Sequence, residues 1–301
     1  VSSTPPVTRA GIVAVVGAPN AGKSTFLNRV VGQKLSITSP KPQSTRDRVV
    51  GIRSDGDTQI VFLDTPGLMT PAYDLQRAMR GAALHALADA DLIIYLVDAT
   101  LGDPPTLETA AGITHPPRAP VLLTFNKSDL VDSARRAGLA ERFPEATWIS
   151  SATGDGIDAF LERISVALPE SPFLYPADEV STQSLRFFVT ELIRESALEQ
   201  LDEEVPYSVA AEIDEFREER RPMYIRATIY VERDSQKGIL IGHKGSRIRE
   251  LGRSARLKIE PLVDAPVFLD LNVKVLPNWR RDRRALGRFG YTIPPEHRTR
   301  S

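Results

Sequence analysis

Ile12-Val-Ala-Val-Val16, then Gly17-Ala-Pro-Asn-Ala-Gly22-Lys23-Ser24, then Thr25-Phe-Leu-Asn-Arg-Val-Val31, is the stretch that decides the fold. An apolar run, a glycine-bounded loop and a helical pattern follow one another without a gap. At a strand-to-helix turn, Gly-x4-Gly-Lys-Ser is a phosphate cradle, or P-loop. Triphosphate oxygens need many donors at short range. Gly17 and Gly22 let the backbone turn its N–H groups inward, and the helix N-terminus adds positive potential. Lys23 supplies a cation to the β- and γ-phosphates, and the Ser24 hydroxyl is placed to ligate Mg²⁺. Asn20, Ala21 and Thr25 complete the nucleotide-facing loop. The bland alternative, an incidental glycine loop, lacks a reason for the strand before it and the helix after it.

Working outward, further short runs rich in Val, Ile and Leu occur at residues 59–63, 92–97 and 121–125. Continuous apolar runs suit strands of a parallel sheet buried on both faces. Helical patterns over 23–31 and 75–87 alternate with them, which predicts a doubly wound α/β domain. Asp64-Thr-Pro-Gly67 follows the first of these runs, the one ending at Leu63. A carboxylate at that strand end suits the metal, and Gly67 lets a backbone N–H approach a γ-phosphate. Asn126-Lys-Ser-Asp129 follows the run ending at Phe125. The Asp129 carboxylate only accepts hydrogen bonds. Guanine offers it two donors, a ring N1–H and an exocyclic amine, whereas adenine has no N1–H. The Asn126 amide suits tying loops together, and the Lys127 stem suits covering the ring. After the apolar segment 147–149 comes Ser150-Ser-Ala152, where a backbone N–H, that of Ala152, suits the guanine carbonyl, with Ser151 beside it in the nucleotide-facing loop. Four motifs in one order select GTP.

The 301 residues suffice for two domains, and 42% apolar with 26% charged content is ordinary for a globular chain. A net charge of −1 excludes a strong overall field. The absence of cysteine excludes disulfides and thiolate metal sites. No apolar run spans a bilayer, and residues 1–9 carry no apolar leader. The expected location is cytoplasmic and the expected state monomeric.

The first half resembles the translation-factor-like branch of the Ras-type GTPase superfamily. That resemblance implies a switch loop over residues 39–46, with Thr45 closing on Mg²⁺ and the γ-phosphate and Ser44 its nearby competitor. Many relatives place a water-orienting glutamine where this chain has Leu68, which cannot hydrogen-bond water. Some relatives with an apolar residue there hold K⁺ at the position of Asn20. An asparagine that merely satisfies its own loop is the equal alternative. Lys23, Thr45, Gly67 and Asn20 are therefore the candidate catalytic groups, and Ser24, Thr45 and Asp64 the candidate metal ligands. Slow intrinsic turnover is expected.

The pattern changes at a proline-rich linker, residues 169–180. The domains are expected at 1–168 and 181–280, with a basic tail at 281–301. The second half reads as helix (183–201), strand (from Tyr207), strand (225–231), two helices (236–241 and 246–260) and strand (267–275), a smaller α+β domain. Gly242-His-Lys-Gly245 lies between the two helices. Between Lys237 and Lys258 there are seven Lys or Arg and one acid, Glu250, which segregates one basic face.

This half resembles a KH domain with α-β-β-α-α-β order, in which a Gly-x-x-Gly loop clamps about four single-stranded nucleotides. The resemblance implies RNA contacts from Lys237, Gly238, Ile241, Gly242, His243, Lys244, Gly245, Arg247 and Ile248, with Ile239 and Leu240 also lining the groove. A P-loop GTPase joined to a KH domain closely resembles the bacterial Era family. What that implies is a ribosome-assembly factor cycling between GTP and GDP with Mg²⁺. Its partners would be the 3′ end of small-subunit ribosomal RNA and the small subunit. Peripheral association with the inner face of the cell membrane also comes with the resemblance, and nothing in the sequence points to it independently. The competing class is an RNA-binding chaperone with an uncoupled, nearly idle GTPase domain. A phosphotransferase is disfavoured by the guanine motif.

Overall fold

A computed structural model describes residues 7–294 of the chain. They fall into two compact units: residues 7–36, 45–71 and 79–182 cluster together, and residues 37–44, 72–78 and 183–294 form the second cluster. The first unit contains β1 (Arg9–Val16), α1 (Lys23–Val31), β2 (Val49–Asp55), β3 (Thr58–Asp64), β4 (Leu92–Asp98), α3 (Leu107–Ala111), β5 (Val121–Asn126), α4 (Ser133–Arg142), β6 (Thr147–Trp148) and α5 (Ile157–Ala167), with α2 (Asp74–Asp89) between β3 and β4. The six strands lie in the order β2-β3-β1-β4-β5-β6. All pairs are parallel except β2 with β3. The strand order reverses around β1, so the carboxyl ends of β1, β3, β4 and β5 open on one crevice. The cradle, Asp64, Asp98 and Asn126 all stand at those ends. Alternating faces of β1, β3 and β4 bury Ala14, Val16, Val61, Leu63, Ile93 and Tyr95 in one apolar cluster.

The antiparallel edge strand β2 departs from the sequence expectation. Its residues Val49 to Ile52 are buried and would read as strand, but the adjoining switch segment hides them in a linear reading. The short turn at Asp55–Thr58 makes β2 and β3 a hairpin, which needs no crossover helix.

The second unit contains α6 (Leu185–Gln200), α7 (Val205–Ser208), β7 (Ala210–Arg217), β8 (Met223–Val231), α8 (Asp234–Ile241), α9 (Ser246–Val263), β9 (Val267–Val275) and α10 (Arg283–Arg288). Its sheet is ordered β7-β8-β9, with β8 antiparallel to β7 and parallel to β9. Ile225, Ala227, Ile229 and Val231 of β8 are fully buried, and Val189, Ile193, Leu240, Leu251, Ala255 and Ile259 from α6, α8 and α9 pack into the same cluster.

Two expectations change here. Tyr207 lies in the short helix α7 and not in a strand; Pro206 in its first turn presets a helical φ. The strand begins at Ala210, and a register shift between Ile213 and Glu215 interrupts its alternation. Residues 283–288, read from sequence as tail, form α10, with Leu286 fully buried. The Arg/Pro stretch from Pro294 lies, beyond Pro294 itself, outside the described residues.

Trp279 anchors α10. It is fully buried, donates from Nε1 to Ser208 O at 2.8 Å and packs edge-on against Phe289, ring centroids 5.2 Å apart. Trp279→Ala is expected to destabilise the second unit by roughly 3–5 kcal/mol. A urea titration that follows this unit should show an earlier midpoint; an unchanged midpoint would contradict the packing role.

Residues 37–44 and 72–78 are held within this unit by specific bonds. Lys41 Nζ donates to Leu198 O at 2.8 Å and to Leu201 O, and Arg194 Nη2 donates to Ser44 O at 2.5 Å. Arg194 is buried and grips Glu191. Glu195, also buried, accepts from Thr38 N–H at 3.3 Å and pairs with Lys258 of α9 at 3.1 Å. Tyr73 donates to Gln43 Oε1 at 3.0 Å and lies under Arg280, whose guanidinium also holds Glu232 ahead of α8.

Candidate nucleotide and RNA sites

Lys23 opens α1 from inside the cradle. It is buried, and its ammonium donates to Gly17 O at 3.1 Å and Ala18 O at 2.9 Å. Burial lowers its pKa to about 8, partly opposed by the nearby Asp64 carboxylate. An incoming phosphate would favour the charged form again. Gly22 has φ 95°, and a Cβ there would overlap the Asn126 amide. Gly17, Asn20, Ala21, Ser24 and Thr25 lie around that turn. Asn20 is exposed with φ 62°, a left-handed conformation that asparagine tolerates.

The three proposed metal ligands meet. Ser24 Oγ donates to Asp64 Oδ2 at 2.8 Å, and Thr45 Oγ1 lies 2.8 Å from Ser24 Oγ. Of the two switch candidates it is Thr45 that reaches the cluster, while Ser44 offers its carbonyl to Arg194. Asp64 Oδ1 is buried without a hydrogen-bond partner among the described residues, and burial raises its pKa against the opposing pull of Lys23 and Ser24. Two hydroxyls and an orphaned carboxylate oxygen fit Mg²⁺, which takes few protein ligands and relies on phosphates and water for the rest. No group of three or more His, Cys, Asp or Glu suited to a metal occurs among the described residues, so no all-carboxylate cage competes.

Thr65 fixes the turn after β3 by donating to Val15 O at 2.8 Å. Gly67 then lies beside Pro19 of the cradle, and Leu68 N–H donates to Gly17 O at 2.9 Å. The Leu68 side chain is buried in the apolar cluster of the sheet. It therefore serves packing, and water must be oriented by other groups.

At the base end, Asn126 ties three loops. Its Nδ2 donates to Ala21 O at 2.8 Å, and its Oδ1 accepts from Ser151 N–H at 2.9 Å. Lys127 has φ 63° and sets its ammonium 2.5 Å from Asp98 Oδ2. Burial works against the charge of Asp98, but hydrogen bonds from Lys127 and Thr100 outweigh it and hold its pKa below the usual value. Asp129 is exposed and, among the described residues, unpaired. The Ala152 N–H has no partner among the described residues either. Asp129 and Ala152 are both exposed and thus contribute one open acceptor and one open donor. Sequence reading missed Asp98, although its place at the end of β4, paired in register with Asn126, is a strand-end signal. It also missed Arg29, which no motif contains.

In the second unit, Gly242 has φ 70°, and a Cβ there would come within 2.8 Å of Arg247 Cβ. Lys244 is exposed with φ 48°. Arg249 Nη1 donates to Lys244 O at 2.8 Å and steadies the loop. Lys237, Lys244, Arg247 and Arg253 form no ion pair among the described residues, whereas Lys258 is committed to Glu195 and Glu199. Gly238, Ile239 and His243 are exposed; Ile241, Gly245 and Ile248 are half-buried. Leu240 is fully buried in the core and does not line a groove: it packs with the inward residues of the sheet, as Ile239, which is exposed, does not.

Residues 12–127 match a family model described as 50S ribosome-binding GTPase, and residues 204–280 match one described as KH domain. GTPase Era of Geobacter metallireducens is 43% identical over 296 residues, covering 94% of this chain and 98% of that protein. The chain belongs to the Era family of GTPases. Era of Pseudomonas aeruginosa is 41% identical over 95% of the chain and 96% of its own length. A crystal structure of Era in complex with MgGDPNP and nucleotides 1506-1542 of 16S ribosomal RNA superposes with a TM-score of 0.89. That protein shares 37% identity, over 95% of this chain and 100% of its own. A single-residue variant of Aquifex aeolicus Era, bound to GDP.AlF4-, gives 0.87, also at 37% identity, with the same shares of each chain covered. As an Era-family GTPase the chain binds Mg²⁺ with GTP or GDP and converts GTP to GDP and phosphate.

Proposed function

We propose that this protein is a GTP-controlled clamp for the single-stranded 3′ end of small-subunit ribosomal RNA, acting in small-subunit maturation. In this reading Gly17, Ala21, Gly22, Lys23, Ser24 and Thr25 cradle the phosphates. Ser24, Thr45 and Asp64 hold Mg²⁺, Gly67 donates to the γ-phosphate, and Asn126, Lys127, Asp129, Ser151 and Ala152 hold guanine. Lys237, Lys244 and Arg247 meet RNA phosphates at the Gly242–Gly245 loop, with Ile241 and Ile248 beside the bases. The observation that carries the coupling is the anchoring of residues 37–44. Arg194 and Lys41 of the second unit's bond network hold the segment that runs directly into Thr45. A γ-phosphate that draws Thr45 onto Mg²⁺ pulls on a segment tied to α6, and Glu195 ties α6 to α9 through Lys258. The related Era structure with 16S ribosomal RNA supports the choice of RNA.

The test is multiple-turnover hydrolysis of GTP with and without a single-stranded RNA of that 3′ sequence. Turnover to GDP and free phosphate, with none transferred to RNA, is expected. A Gly242→Asp, Lys244→Asp variant should keep basal turnover and lose RNA affinity roughly tenfold or more, since it sets acids against phosphates. Undiminished RNA binding by that variant would rule out the Gly-x-x-Gly loop as the clamp.

A further inference from the structure

The base end of the nucleotide site rests on a residue that lies in none of the four motifs. Arg29, in the last turn of α1, donates from Nε to Ser151 O at 2.6 Å and from Nη2 to Ala152 O. Both acceptors belong to the loop after β6. A trans peptide points its C=O and N–H in opposite directions. Drawing the Ser151 carbonyl toward α1 therefore turns the Ala152 N–H away from α1, and that N–H has no other partner among the described residues. The neighbouring peptide is fixed as well, because Ser151 N–H donates to Asn126 Oδ1 at 2.9 Å. Thr153 N–H is taken up by Ser150 Oγ at 3.1 Å, and Gly154 N–H by Ser150 O at 2.8 Å. Of the N–H groups of residues 151–154, only that of Ala152 is left free to meet a ligand. Gly154 leaves room for the guanidinium: a Cβ there would come within 2.9 Å of Arg29 Nη1.

We infer that Arg29 is a positioning residue for guanine specificity, fixing and polarising the Ala152 peptide so that its N–H meets the guanine O6. This rests on the reading of Ala152 as the O6 donor. A cationic donor on the carbonyl strengthens the N–H of the same amide through polarisation, and the bidentate grip of arginine on two carbonyls is a geometry that lysine matches only in part. Because α1 begins at the phosphate cradle, the side chain also ties the base loop to the helix that carries Lys23 and Ser24.

The experiment measures equilibrium affinity of the full chain for GDP, 6-thio-GDP and inosine diphosphate. The first substitution exchanges the position-6 oxygen for a larger sulfur that accepts more weakly; the second removes only the 2-amine, which faces Asp129 in the proposed reading. Wild type should prefer GDP over 6-thio-GDP by about tenfold, the size of one good hydrogen bond. Arg29→Met should weaken GDP about tenfold and 6-thio-GDP much less, so that this preference collapses, while the preference for GDP over inosine diphosphate stays at the wild-type ratio. Arg29→Lys should restore part of the position-6 preference. At saturating GTP, kcat should be unchanged in both variants, the effect lying in KM. Equal weakening of all three nucleotides would overturn the inference and reduce Arg29 to general loop support. A wild type indifferent to the position-6 acceptor would overturn the reading of Ala152 itself, and the inference with it.

Discussion

Asp129→Asn is expected to lower affinity for GTP at least roughly a hundredfold and to raise affinity for xanthosine triphosphate by a comparable factor. The wild-type carboxylate is exposed and unpaired among the described residues, ready to accept from both guanine N1–H and the 2-amine. An amide keeps one acceptor oxygen and replaces the other with an NH₂ donor group. Against guanine, its N–H group meets the 2-amine, donor to donor. Against xanthine, N1–H meets the amide oxygen and the 2-oxo group meets the amide N–H. Sites built to hydrogen-bond a specific group reject the mismatched ligand by large factors because buried polar groups are left unpaired. Competition of the two triphosphates for a fluorescent GDP analogue reads both changes. Unaltered preference would mean that the base sits elsewhere.

The second large effect concerns Lys23. Lys23→Met should lower kcat/KM for GTP by roughly a thousandfold, as loss of a preorganised charge on the transferring phosphoryl group demands. The fold should not suffer in parallel. The ammonium is buried and its pKa lowered to about 8 by desolvation, so its charge is a burden that a bound phosphate relieves. Since the unfolded chain holds this proton up to its ordinary pKa of about 10.5, the burden is fully present below about pH 8 and fades as pH rises toward 10.5. Nucleotide-free wild type should therefore gain stability across that interval relative to Lys23→Met, which lacks the group. Chemical denaturation at three pH values checks this. A Met variant that is both inactive and markedly less stable at pH 7 would assign Lys23 a structural role.

The residues that chemistry requires at fixed spacing were the legible ones. The cradle from Gly17 to Ser24, Asp64 after β3 and Asn126 to Asp129 after β5 follow from the needs of phosphate, metal and guanine. The strand ends that carry them follow from apolar runs. The alternation of β8 and β9 reported a sheet with one buried face, and their inward residues are those expected. What was not legible depends on contacts far apart in sequence. Arg29 meets a loop more than a hundred residues away, and a basic side chain in a helix's last turn has an ordinary local explanation in the helix dipole. Leu240 reads as one of three equivalent apolar residues until the sheet shows which of them faces inward. Tyr207 continues an alternating pattern that Pro206 breaks. The segment beyond residue 280 is rich in arginine and reads as solvated, yet Trp279 and Leu286 bury it.

No helix among the described residues is long and apolar enough to cross a membrane. In the proposed function the groups described above serve nucleotide and RNA, and the state of the nucleotide sets the affinity of the RNA clamp through residues 37–44. The most direct measurement is titration of a fluorescently labelled single-stranded 3′ RNA with the full chain, loaded in turn with a non-hydrolysable GTP analogue and with GDP. Affinity about tenfold or more tighter in the GTP-analogue state is predicted, in the usual range of coupling free energies, with RNA tightening the analogue by the same factor. Equal RNA affinity in the two states would contradict the coupling and leave an RNA chaperone whose GTPase runs uncoupled.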